Sequence, residues 1–157
     1  MVQSKGKTSR PESAAPRAGR KVMRDADYEA LAQFRYQVRT FLAFSEAAAE
    51  RAGLTPQQHQ VLLGIKGFAG AGAASIGDVA RFLLIRHHTA VELIDRMAKL
   101  KLVSRVPDPR DARRVQLRLT AKGEEKLRSL SRIHLEELRS ASPALSKVLW
   151  PFRSRTR

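Results

Sequence analysis

Residues 102–119 read LVSRVPDPRDARRVQLRL. Leu102 to Val106 and Val115 to Leu119 both alternate in the manner of half-buried strands, with Val115, Leu117 and Leu119 facing one way and Gln116 and Arg118 the other. Pro107 to Arg114 joins them and packs three arginines and two aspartates into eight residues. The expectation is a two-stranded hairpin with a cation-rich loop, suited to the narrow minor groove of DNA, where negative potential concentrates. Two acids at such a surface would repel phosphate. Asp108 and Asp111 are therefore expected to pair with neighbouring arginines, Arg114 being the partner assigned to Asp108, and to brace the loop.

What precedes the hairpin gives it a context. Ser75-Ile76-Gly77-Asp78 has the form of a capping box, and Ile76, Val79, Ala80 and Leu83 continue as the stripe of a short helix. RHHTAVELIDRMAKL, residues 86–100, forms the next helix after a brief connector. Two short helices so joined suit a helix-turn-helix, whose second helix enters the major groove, and a hairpin directly after it is a wing. At about 100° per residue, Ala90, Leu93, Ile94 and Met97 fall on one side of that helix, and His88, Thr89, Glu92, Asp95, Arg96 and Lys99 on the other. His88, Thr89 and Glu92 sit in the first turns, where a recognition helix meets base edges.

Further upstream, Leu31, Phe34, Val38, Phe41 and Leu42 draw one apolar stripe on a long helix over about 25–51. Thr55-Pro56 supplies an N-cap and a first-turn proline for a second helix through Gln58, Leu62 and Ile65. GFAGAGAA, residues 67–74, ends it as a turn; it lacks the Lys-Ser/Thr ending and preceding strand of a phosphate-binding loop. After Thr120, Leu127, Leu130, His134, Leu135 and Leu138 mark another long helix, and the remaining SPALSKVLWPFRSRTR is short for a final dimerisation helix.

The charge balance agrees with a polyanionic partner. The 157 residues carry 30 Lys+Arg against 15 Asp+Glu, a formal net charge of +15. Residues 1–24 hold Lys5, Lys7, Arg10, Arg17, Arg20, Lys21 and Arg24 against Glu12, with too few large apolar residues to offset the entropy of ordering. They are expected to form a disordered basic arm, either a source of sequence-independent phosphate contacts or a solubilising extension. No apolar run approaches a bilayer-spanning length, no apolar signal segment is visible near the start, and the absence of cysteine excludes disulfides and thiolate zinc sites. A cytoplasmic, nucleoid-associated protein is expected.

From about residue 25 to 145 the sequence resembles the MarR-type winged-helix transcriptional regulators. DPRDARRVQLRLTAKG matches the family's D-x-R-D-x-R wing signature and the L-T-x-x-G that opens its next helix, and FRYQVRTFLAFSE, AGLTPQQHQVLL, IRHHTAVELIDRM and KLKLVSRVPDPRDARR follow in the family's order. The resemblance implies a mainly α fold with a small β-hairpin wing, with dimerisation helices over 25–52 and 120–150 and a winged helix-turn-helix over 55–119; residues 151–157, basic like the arm, are expected to form a frayed tail. It implies wing contacts at Arg110 and Arg113, recognition-helix contacts at Arg86, His87, His88, Thr89 and Glu92, and a phosphate contact at Arg96. It also implies a pocket for a small aromatic or anionic effector, for which Phe34, Tyr36, Arg39, Phe44 and His59 offer suitable groups. Many members have glycine between the third and fourth helices; this chain has Leu84, expected in an ordinary conformation because a leucine at positive φ costs about 1–2 kcal/mol.

The apolar stripes on the first and last helices exceed what residues 55–119 can cover, which points to a homodimer; packing of the two helices on each other is the alternative. Together these features imply a sequence-specific double-stranded DNA-binding regulator, read as a repressor on a palindromic operator, with a non-specific nucleoid protein as the alternative. An enzyme is not expected. Glu124-Glu125 and Glu136-Glu137 are adjacent pairs that diverge around a helix, and no Ser or Thr has an obvious His partner. His88 and Glu92 are one turn apart and would make half a metal site, but there are four histidines and no cysteine, so neither metal nor cofactor is expected.

Overall fold

The computed structural model describes residues 23–68, 73–108 and 111–153, without the side chains of 111–114, 145 and 147–153. Most of the arm, and the turn residues 69–72, lie outside the described residues. The elements run α1 (Asp25–Arg51), α2 (Pro56–Lys66), α3 (Ile76–Leu83), α4 (His87–Lys99), β1 (Val103–Asp108), β2 (Asp111–Leu119) and α5 (Ala121–Arg153). This is the mainly helical architecture with one hairpin that the sequence implies.

The helix starts follow from their caps. Thr55 accepts from the Gln58 N–H at 3.2 Å and donates its own N–H to the Gln58 side chain at 2.9 Å. Ser75 and Asp78 make the same reciprocal pair at α3, with Asp78 also held by Arg81.

The helix ends share a second device. At α1, α3 and α4 the chain leaves through one residue of left-handed backbone: Gly53 (φ 71°), Leu84 (φ 57°) and Lys101 (φ 58°). Each makes the paired bonds of a Schellman turn: at α3, Leu84 N–H to Arg81 O (3.2 Å) and Ile85 N–H to Ala80 O (3.0 Å); at α4, Lys101 N–H to Ala98 O (2.9 Å) and Leu102 N–H to Met97 O (3.0 Å). The expectation of an ordinary conformation for Leu84 is thus incorrect. The turn satisfies two orphan carbonyl groups and carries Ile85 onto the core, and these gains exceed the steric cost borne by Leu84, whose own side chain is 92% exposed.

The hairpin is antiparallel, pairing Val103 with Leu119, Arg105 with Leu117 and Pro107 with Val115, and it shifts register between Pro107 and Asp108. The strands are longer than the alternation indicates. The stretch 107–114 expected as loop is strand up to Asp108 and again from Asp111, because the shift lets proline, which has no N–H to donate, sit within the ladder. A bridge from Ser75 to Gln116, with the Leu117 N–H donating to Ala74 O at 2.7 Å, ties β2 to the start of α3.

The core lies between α2, α3, α4, the inner hairpin face and the first part of α5, with Val61, Leu62, Ile94, Met97, Leu102, Leu117 and Leu130 essentially buried. Thr120 makes the link to α5. Its N–H donates to Leu102 O at 3.1 Å, its hydroxyl donates to Lys101 O at 2.6 Å, and the same oxygen accepts from the Gly123 N–H at 3.1 Å. A Cβ on Gly123 would stand 2.1 Å from Leu102 O, so the L-T-x-x-G pattern has a physical basis: threonine caps, and glycine permits the approach. α5 then continues to Arg153 as one helix of 33 residues, so the segment after 141 joins the same helix, and residues 151–153, expected to fray, are helical. It packs on α1.

Two substitutions test these constraints by denaturant unfolding. Gly123→Ala is expected to destabilise the fold by about 1–3 kcal/mol, because a carbonyl group cannot yield as a flexible side chain can. Leu84→Gly should stabilise it by up to about 1 kcal/mol, the relieved strain being partly offset by the greater freedom of the unfolded chain.

Candidate nucleic-acid interface

α4 presents two faces, as its periodicity requires. Ala90, Leu93, Ile94 and Met97 are buried against the core, while His87, His88, Glu92, Arg96 and Lys99 are exposed and Thr89 half-buried. The reading stripe expected from sequence is therefore on the solvent side. Arg86 occupies the N-cap position with extended backbone and makes no side-chain cap bond, unlike Thr55 and Ser75 at α2 and α3. The first turn of α4 thus keeps backbone donors beside a guanidinium, an arrangement that favours anions.

Of the hairpin residues, Arg110 lies outside the described residues, as do the side chains of Arg113 and Arg114. The expected Asp108–Arg114 brace therefore falls outside them too. A different ion pair is present. Arg105 Nη2 stands 2.8 Å from Asp95 Oδ1, joining β1 to α4. The sequence reading overlooked Arg105, yet the signal is there: cross-strand partners share a face, so pairing with Leu117 places Arg105 on the inward side of the hairpin, where a cation needs a partner.

The five residues expected at an effector pocket are only partly assembled. Phe44 and His59 both meet His134, with ring centroids 5.5 and 4.7 Å away, and Phe41 joins them at 6.0 Å. Phe34 is half-buried on α1, and Tyr36 and Arg39 are exposed on that helix. A cavity of about 260 Å³ opens elsewhere, lined by Lys66, Leu119, Glu124, Leu127, Arg128 and Ser131. A Ser–His contact does exist, unseen in the sequence because its members are 89 residues apart: His134 Nε2 lies 2.8 Å from Ser45 Oγ, while its Nδ1 meets Leu130 O at 2.7 Å. Both contacts lock a buried imidazole into the junction of α1, α2 and α5. Among the described residues, no three His, Asp or Glu side chains gather as metal ligands, and no helix is long and apolar enough to cross a membrane.

Helices α2 to α4 followed by a hairpin define a winged helix-turn-helix. Residues 52–114 match the model of the MarR family. The chain is 38% identical over 76 residues to the transcriptional activatory protein BadR of Rhodopseudomonas palustris, a match covering 48% of this chain and 43% of BadR. It is 34% identical over 86 residues to the HTH-type transcriptional regulator YsmB of Bacillus subtilis, covering 55% and 57% of the two chains. The match thus spans about half the length of these relatives. A mutant of MepR from S. aureus, bound to an oligodeoxyribonucleotide, shares the fold with a TM-score of 0.58 at 22% identity, over 74% of this chain and 82% of that one.

The buried histidine pair sets a pH dependence. His59 is 3% exposed and its Nδ1 has no partner; burial first, and the adjacent His134 second, hold its pKa below the ordinary 6.5. The unfolded chain therefore takes up a proton at higher pH than the folded one. The contribution of His59 is complete above pH 6.5 and is lost as pH falls from there through the depressed folded value. The urea midpoint should drop over that interval, and His59→Phe should flatten the drop.

Proposed function

We propose that the protein is a sequence-reading, double-stranded DNA-binding transcriptional regulator that acts as a homodimer. The observation that carries this reading is the solvent face of α4, with His88, Glu92, Arg96 and Lys99 exposed beside a hairpin whose tip sequence holds Arg110 and Arg113. The +15 net charge supplies long-range attraction to the duplex. α4 enters the major groove, where each base pair has its own pattern of donors and acceptors, and the hairpin arginines follow the minor groove.

Assembly follows from apolar surface left over after α1 and α5 pack on each other. Tyr28, Leu31, Val38 and Leu42 on α1, and Ile133, Leu135 and Leu138 on α5, remain exposed. The helices pair within the chain, and the apolar face they leave exposed supports pairing with a second copy. Two-fold symmetry calls for a palindromic operator with half-sites about 34–36 Å apart. Bound over a promoter, such a dimer represses. A small aromatic or anionic effector releases it by acting on Phe44 and His59, which are joined through His134.

The test is binding of the full chain to a duplex selected from a random library and to unselected duplex, with sedimentation at micromolar concentration. The expected species is twice 17.5 kDa. Ala replacement of His88, Thr89 or Glu92 should cost about 1–3 kcal/mol mainly on the selected duplex, whereas Arg110→Ala should weaken binding to both. A lone monomer, or equal affinity for the two duplexes, would overturn the reading; equal affinity with a steep salt slope marks a protein that only coats DNA.

A further inference from the structure

Asp95 lies on the same stripe of α4 as His88, Glu92 and Lys99, each within about 40° of its neighbour around the helix axis. An uncompensated carboxylate there would face phosphate. Its charge is met by Arg105, which reaches out from the inward face of β1, opposite buried Leu117, to place Nη2 2.8 Å from Asp95 Oδ1. The side chains keep 48% and 36% of their exposure, so the pair does little for folding and its consequences lie at the surface. Two outcomes follow from the geometry. The wing is fastened to the reading helix at a second point, two residues beyond its buried start at Val103. A long cationic side chain beside the DNA face is also kept occupied.

Resting on the DNA-binding reading above, we propose that Asp95 and Arg105 form a specificity joint, positioning residues that set the preference for selected over random DNA by fixing the wing to α4 and by withholding Arg105 from the phosphate backbone. An arginine free to swing would add a contact that every sequence offers alike, raising random binding and eroding the preference. Held by Asp95, it adds none. The joint differs from His88, Thr89 and Glu92 on α4 and from the hairpin tip because it touches no DNA itself.

The experiment measures salt dependence and the affinity ratio for selected and random duplexes with the full-length protein, checking folding by thermal melting. Asp95→Asn should steepen the log–log salt slope by about 0.9 for each Arg105 released to a phosphate. It should also tighten random binding and lower the ratio by at least about twofold per subunit. Arg105→Ala should lower the ratio yet leave the slope of the native protein unchanged, since the paired guanidinium holds no phosphate. The exchange Asp95→Arg with Arg105→Asp should recover part of the lost ratio. A slope reduced by Arg105→Ala would overturn the proposal, because Arg105 would then already be a backbone contact. So would an Asp95→Asn protein with native slope and ratio. Either result leaves the DNA-binding reading standing, whereas a native protein that binds no duplex removes both.

Discussion

The carbonyl group of Leu102 is where three elements meet. The Leu102 N–H closes the end of α4 on Met97, its side chain is buried, and its oxygen receives the Thr120 N–H at the start of α5. Because the Lys101–Leu102 peptide unit is planar, the Leu102 N–H that closes α4 on Met97 and the Lys101 C=O that accepts the Thr120 hydroxyl share one orientation, which couples the end of α4 to the start of α5. The tight fit of Gly123 over that oxygen leaves α5 little freedom to settle elsewhere. The angle between α4 and the start of the hairpin is therefore set first at this junction, and the Arg105–Asp95 pair adds a second point of attachment.

The second junction, between α1, α2 and α5, is polar where the first is tight. His134 is satisfied at both nitrogens, and His59 brings an imidazole with a bare Nδ1 against it. An unpaired buried lone pair costs more than an apolar ring of the same shape would. His59 thus makes the seat of the winged helix on α1 and α5 a place where protonation acts on the fold. Phe41 and Phe44 enclose it edge-on.

Much of this was legible in the sequence wherever one segment carried its own signal. Thr55 and Ser75 mark their helices through short polar side chains, the two faces of α4 follow from period alone, and strand alternation finds the hairpin. The signal fails where the deciding partner is remote or where a local rule is overridden. Leu84 carries the side chain least suited to its backbone, and only the seating of Ile85 explains it. Pro107 reads as loop until the register shift is known. Arg105 looks like one more wing cation until Leu117 is placed across from it, and the bridge between Ser75 and Gln116 is too short to leave a periodicity. The residues suited to an effector share chemistry, and helix phase separates those on α1: Phe44 turns toward His134, while Tyr36 and Arg39 are exposed to solvent.

The unbroken length of α5 has a mechanical meaning. At about 1.5 Å per residue, its 33 residues make a rod of about 50 Å that is clamped at one end by Thr120 and Gly123. A tilt of about 5° at that clamp displaces the far end by about 4 Å over such a length. The converse also holds: a displacement imposed on the distal half arrives near the clamp reduced in proportion to distance, while the force behind it is multiplied as torque. The rod is a reduction gear, turning coarse displacement at one end into a fine adjustment beside the end of α4.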